Sequence, residues 1–428
     1  MSYSANNIQQ LFKQEYSLPN QPVQLRPGQI VYGKVTKLFP NEMAEIQVGE
    51  QKLYAHLSTP LSSGEKYWFQ VQVGQEKLAL KVLSSVKQPG KEDKGSSTAS
   101  LLKQLSLSDT KENRAVVASF LKDQLPLTKE ILFKASAWLT KSENLPSDIA
   151  VIKQMVEREL PLTKAVFTSL VQVHSGSSFT DLLHALSNEL TTHSIQSNLL
   201  EKVISTFHSE NFTNWEDSNQ IKGKLAEIFH RLGFSYEVEQ FTLLKETKKT
   251  WQESEQLKPL LLKLLSDDIP QSTKDITSQL IEKITGVQLL SQEAGPMIQM
   301  MMQLPVSFGK HTMDATIQYN GKKTKDGKID SDYCRIMFYL DLEYLKETVI
   351  DMHIQNRVMT ITIWNNQPLI STLVSAYSKQ LKEKMNQADY TLLSIASKPL
   401  SENQHNLKNG LSSLEFGNFS YKGVDFKI

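Results

Sequence analysis

The chain has 428 residues, enough for two to four domains, and its 39% apolar and 22% charged residues are the composition of an ordinary globular protein, not a disordered one. Lys+Arg number 47 against Asp+Glu 46, so no global field draws the chain to nucleic acid or an anionic membrane, and nucleic acid is not the expected partner, while a local basic patch stays open. The single cysteine, Cys334, excludes an intramolecular disulfide and a thiolate metal cage.

Residues 1–21 are polar around one apolar cluster, Ile8, Leu11 and Phe12, and read as a tail or a short docking helix. They carry no cationic stretch ahead of an apolar core, so a signal peptide is not expected. No window approaches the roughly 18–20 apolar residues of a membrane span. A cytoplasmic location with no membrane insertion is the expectation. Residues 22–86 change character. Val31, Val35, Ile46, Val48, Leu53, Val71, Leu80 and Val82 lie in short alternating runs, broken by Pro27-Gly28, Gly49, Gly64 and Gly74. Period-two alternation between turn residues predicts about five antiparallel strands, and strands so short bury their faces best as a small closed barrel. Residues 87–99, KQPGKEDKGSSTA, read as a flexible linker.

Residues 100–295 carry helical periodicity. The pentapeptide LPLTK occurs here twice, at 125–129 and 160–164, inside longer stretches whose apolar positions coincide: Val116/Val151, Phe120/Met155 and Leu125/Leu160. Each Pro ends a helix, and Thr128 or Thr163 suits the N-cap of the next. Leu127 with Leu132, and Leu162 with Phe167, stand at staple positions. A duplicated helical hairpin follows. Later helices are expected around 181–210, 217–232, 235–247, 254–266 and 273–291.

Residues 296–400 return to mixed structure. Strands are expected at 311–319, 333–342, 348–355 and 357–364, a polar hairpin loop at 320–332, and a turn of helix before the second hairpin. Leu369, Leu373, Tyr377, Leu381 and Met385 recur at helical spacing, and 391–397 reads as a closing strand. Residues 401–428 form a polar tail ending in an alternating strand-like segment. The expected fold class is multidomain: a small N-terminal antiparallel β-barrel, an all-α middle region of helical hairpins, and a C-terminal two-layer α+β domain.

No catalytic constellation is present in the sequence. The GKKT at Gly321–Thr324 lacks the first glycine of a P-loop, because Thr316 stands there. The nine histidines do not cluster at ligand spacing. Cys334, within an expected strand, reads as a small buried residue rather than a nucleophile. No enzyme activity, cofactor, metal site or small-molecule substrate is therefore expected. Two features could meet a partner. Lys322, Lys323, Lys325 and Lys328 crowd one hairpin and would suit an acidic surface. The run MIQMMMQ (297–303) is expected to pack the helical region against the C-terminal domain. In the barrel, PGQIVYGKVTKL followed by AEIQVGEQKLYAHL resembles the opening strands of ribosomal S1-type oligonucleotide-binding domains. The aromatics in reach are Tyr32, Phe39 and Tyr54, and the basic residues are mixed with Glu42, Glu45 and Glu50.

Residues 304–398 resemble the C-terminal domain of the flagellar hook-length control protein family. LPVSFG (304–309), FYLDLEYL (338–345), TVIDMHIQNRVMTITIW (348–364) and the following helix and strand carry the likeness. The barrel and the LPLT-type helices resemble relatives of that family in Gram-positive bacteria. The family writes P-x-x-L-G before its central hairpin. The equivalent here runs from Leu342 to Lys346, and Leu345 matches. The resemblance implies a non-catalytic interaction protein that meets the cytoplasmic domain of an export-gate switch protein, with Leu342, Leu345 and Lys346 at the contact.

Overall fold

The structure is a computed structural model. It describes residues 25–400 except 41–42, 50, 58, 60, 73–78, 86–93, 175–176, 196, 209–217, 246–254, 295–296, 309–310, 325 and 327–328. The expected N-terminal tail and terminal strand lie outside the described residues. The chain divides into two compact units, Met1–Arg158 and Glu159–Ile428. That division falls inside the expected helical region, not at either of its ends.

In the first unit, β1 (Gln29–Phe39), β2 (Met43–Val48), β3 (Gln51–Leu57), β4 (Lys66–Gln72) and β5 (Ala79–Ser85) form the barrel. The order is β2-β3-β5-β4-β1, and a further β1–β2 pairing closes it. The β3–β5 pair is parallel, a departure from the all-antiparallel expectation. Val35, Ala44, Ile46, Ala55, Phe69 and Leu80 fill the interior with no exposed surface. Gly33 permits the close crossing of β1 over β2, since a Cβ there would lie 2.7 Å from Ile46 Cγ2.

The last part of the expected linker is helical. Residues 94–99 form the first turns of α1 (Lys94–Gln104), and 87–93 lie outside the described residues. Leu101 and Leu102 are fully buried. Burying two leucines, at about 1.5–3 kcal/mol each, outweighs the weak helix propensity of the Gly/Ser-rich start. On the outer side of the barrel Ile30, Trp68 and Leu83 are also buried, with α1 against β5. Then α2 (Lys111–Lys122) leads into β6 (Leu127–Thr128), which pairs with Gln29 and Ile30. Thr128 accepts the Ile131 N–H at 3.2 Å and caps α3 (Lys129–Leu139) as expected; α4 (Leu145–Glu157) ends the unit.

In the second unit, Thr163 likewise caps α5 (Lys164–His174), accepting the Val166 N–H at 3.3 Å. The single helix expected over 181–210 is two, α6 (Phe179–Thr192) and α7 (Asn198–His208). They are broken where Ser194 takes φ 51°. The remaining helices are α8 (Ser218–Leu232), α9 (Tyr236–Lys245), α10 (Leu257–Ser266) and α11 (Gln271–Leu290). Gly286 on α11 packs so close to α5 that an added Cβ would lie 2.2 Å from the Ser169 carbonyl oxygen.

The C-terminal sheet runs β13-β12-β11-β10-β9-β8-β7. Its strands are β7 (Gln292–Ala294), β8 (Met297–Phe308), β9 (His311–Lys323), β10 (Ile329–Leu342), β11 (Lys346–Gln355), β12 (Val358–Trp364) and β13 (Thr391–Lys398). It is a mixed sheet, because α12 (Ile370–Gln387) crosses over and makes the β12–β13 pair parallel. Two expectations change here. The hairpin loop is shorter than 320–332, since β9 extends to Lys323 and β10 begins at Ile329. The helical turn before the second hairpin is a tight turn at Glu343–Leu345. The methionine run lies in β8. Met302, Leu304 and Val306 join the helical core, while Ile298 and Met300 join the cluster under Leu381 and Met385 of α12. Alternate residues of β8 share one face, so that face is covered partly by the middle helices and partly by α12. Asp314 ties β9 to the start of α6. Its carboxylate accepts from the Phe179 N–H and from the Thr180 N–H and hydroxyl, the latter two at 3.0 and 2.8 Å.

Candidate nucleic-acid interface

The barrel has one covered flank and one open face. Tyr32 belongs to the covered flank, its ring 4.8 Å from that of Trp68, which is 2% exposed. The open face is built by β1, β2 and β3. Strand alternation alone would turn Phe39 inward, as it stands an odd step, about seven positions, along the strand from outward Tyr32. A register shift between Val35 and Lys37 returns it to the surface. The register then sets Lys37 beside Glu45 and Tyr54, and Phe39 beside Met43 and His56. Phe39 and Tyr54 are 41% and 58% exposed, and their rings lie 6.1 Å apart at 43°. Lys34 and Lys52 flank them on the same face across Gln47.

Glu45 sits buried at the centre. Thr36 donates its hydroxyl to Glu45 Oε1 at 2.6 Å, and Tyr54 donates its phenol to Oε2 at 2.9 Å. Lys52 Nζ lies 3.5 Å away. The Thr36 and Tyr54 hydrogen bonds, with a smaller contribution from Lys52, hold the Glu45 carboxyl below the usual range; the same carboxylate pushes the Tyr54 phenol up. The acid is therefore spent inside the protein: it fixes the Tyr54 ring rather than facing solvent as free negative charge. Sequence reasoning found Phe39 and Tyr54 and set Tyr32 beside them; the structure separates Tyr32. It missed His56 and the internal role of Glu45, which only cross-strand register reveals. Glu42 and Glu50 lie outside the described residues.

The other two partner-binding expectations fall on the C-terminal sheet. Lys322 is exposed and Lys323 half-buried at the end of β9, while Lys325 and Lys328 lie outside the described residues. Leu342 and Leu345 are half-buried and Lys346 is exposed, at the opposite end of the long β9–β11 strands. At about 3.3 Å per residue, the ends of a strand as long as β10 are roughly 40 Å apart. Lys322 and Lys323 do not share a patch with the 342–346 turn. Asn365, 3% exposed, pins the Leu345 turn by donating to Leu345 O at 2.8 Å, Glu347 O at 3.1 Å and Thr348 Oγ1 at 2.8 Å. Among the described residues no group of three or more His, Cys, Asp or Glu could hold a metal ion, and no helix is long and apolar enough to cross a membrane.

Comparison with known proteins bears on the barrel. Residues 7–81 match the family model described as the TP0910 S1-like domain. A curated relative, the "Uncharacterized protein YlqG" of Bacillus subtilis (strain 168), is 36% identical over 121 residues, which is 28% of this chain. The match spans only 21% of that relative's length. No solved structure matches. The chain thus carries an N-terminal five-stranded S1-like barrel, a helical middle, and a C-terminal mixed sheet with a crossing helix.

Proposed function

We propose that this chain is a non-catalytic binding protein whose S1-like barrel takes single-stranded nucleic acid on the β1–β2–β3 face. The observation that carries this reading is the pair of exposed rings, Phe39 and Tyr54, set among Lys34, Lys37 and Lys52 on the barrel's open side. Rings offer a stacking surface to any base, and the lysines track phosphates. The near-zero net charge does not oppose this, because the attraction is local to one face. The test is fluorescence anisotropy of the full-length protein with a labelled single-stranded RNA 12-mer. Binding is expected to weaken with salt at a log–log slope of about −2, since each phosphate contact on a single strand contributes roughly −0.7. Tyr54→Ala and Phe39→Ala should each weaken it about tenfold or more, as stacking is worth about 1–3 kcal/mol per base. Absence of binding at low ionic strength refutes the reading.

A second reading rests on the C-terminal domain. No residue of α12 is buried, and its flank exposes Leu369, Leu373 and Tyr377. That apolar stripe supports a protein contact, and the likeness to hook-length control proteins makes an export-gate-switch-like cytoplasmic domain the partner to try. Titration of such a purified domain with the full chain should give a complex that Tyr377→Glu abolishes; no complex, or one indifferent to Tyr377, sinks this second reading.

A further inference from the structure

The second unit holds a cavity of about 500 Å³ between α8–α11 and the start of β8. That is within the size range of small-molecule sites. Its walls are apolar: Phe234, Val287, Leu289 and Met300 to Met302. The Phe229 and Phe234 rings meet 5.2 Å apart at one side, and Val238, 70% exposed, stands at the mouth. Thioethers adapt their shape to flexible chains more readily than branched side chains do.

One cation is set into this wall. Lys258 is 4% exposed. Its ammonium donates to Gln288 Oε1 at 2.6 Å and pairs with the Glu237 carboxylate. Gln288 commits both amide hydrogens, to Phe234 O and Glu237 Oε2, each at 2.8 Å. An ammonium has three N–H groups. Two are engaged among the described residues, and the third is left to the cavity that Lys258 lines. Glu237 already balances the charge of Lys258. A second carboxylate brought to the same ammonium would face Glu237 at close range, whereas an uncharged carbonyl would not.

We infer that this cavity binds an aliphatic molecule with an uncharged carbonyl head, of the fatty amide or ester class, its chain among the methionines and its carbonyl oxygen on the third N–H of Lys258. This site is separate from the barrel face and stands whether or not the barrel binds nucleic acid.

The test uses the full-length protein and laurdan, a fluorescent ketone with a twelve-carbon acyl chain. Saturable emission is expected, displaced by dodecanamide at concentrations about tenfold below those needed for dodecanoate. Lys258→Met should weaken dodecanamide about tenfold while leaving dodecane displacement unchanged. Val238→Glu changes only an exposed position, so it keeps the fold and should weaken every ligand. No saturable emission, or emission indifferent to Val238→Glu, overturns the site. Dodecanoate displacing as well as dodecanamide, or Lys258→Met without effect, overturns the assignment of the head group.

Discussion

Two glycine-to-alanine substitutions in the second unit should move stability in opposite directions. Gly223 and Gly286 both lie inside helices, where alanine is worth about 0.5–1 kcal/mol more than glycine through backbone entropy and propensity. At Gly223 an added Cβ meets nothing within 4 Å, so only that gain applies, and the melting temperature should rise by about 2 °C. At Gly286 the added Cβ would lie 2.2 Å from Ser169 O and 2.5 Å from Val173 Cγ2, against ordinary contact beyond 3.4 Å. The first obstacle is backbone and cannot rotate away, so α11 and α5 must separate by more than 1 Å. Overpacking typically costs about 1–3 kcal/mol, and a backbone clash puts the cost near the top of that range. Net of the helix gain, about 2–2.5 kcal/mol remains, and at roughly 2–4 °C per kcal/mol for a unit this large, Gly286→Ala should melt about 4–10 °C below the parent. Thermal unfolding followed by helical circular dichroism on the full chain gives both shifts. A Gly286→Ala protein that melts with or above the parent refutes the packing of α5 on α11 described above.

Three further outcomes are expected. Asn365→Ala leaves the turn at Leu345–Glu347 without the amide whose two hydrogens its acceptors share and should cost about 2–4 kcal/mol by urea denaturation, with the m-value unchanged. Asp351 is buried, which alone would raise its carboxyl, but hydrogen bonds from His353 and from Arg335, at 2.9 Å to each oxygen, prevail and hold it near pKa about 2. A folded value below the unfolded one contributes stability above the unfolded pKa, about 4, that is lost as pH falls through about 2; Asp351→Asn should flatten that acid limb by about 2 kcal/mol. Thr128→Val and Thr163→Val should each cost about 1 kcal/mol as lost N-caps, and Ser in place of either Thr should restore it.

How much was legible in the sequence follows the range of each interaction. The barrel strands and helix caps were legible because alternation and N-cap chemistry act over a few residues. Strand β8 was not: Met297 to Gln303 is rich in Met and Gln, which carry little strand signal, and its pairing partner is β9. The break between α6 and α7 rests on one left-handed residue, Ser194, in a stretch whose composition is helical on both sides. At the candidate site, Phe39 and Tyr54 stood out as aromatics on short strands. Their separation from Tyr32 depends on a bulge at Val35–Lys37, and the fixing of Tyr54 by Glu45 depends on register across β2 and β3. Neither can be read from residue types along one strand. That Lys322 and Lys323 stand at the opposite end of the long strands from the 342–346 turn is set by register across β9, β10 and β11.

The doubled pentapeptide shows where local chemistry stops deciding. Both copies follow a left-handed residue, Gln124 at φ 55° and Glu159 at φ 54°, and in both the threonine caps the next helix. Only the first copy pairs with a strand: Leu127 lies opposite Ile30 of the barrel and is fully buried, whereas Leu162 stays half-exposed. Identical residues thus fix the joint between helices, and the neighbouring barrel alone turns one joint into an edge strand. Capped helices at both copies resist extension until their packing is lost, since Leu132 and Phe167 are buried behind the caps. The repeat therefore marks two capped joints of folded helices, and the barrel's edge is what sets the first apart from the second.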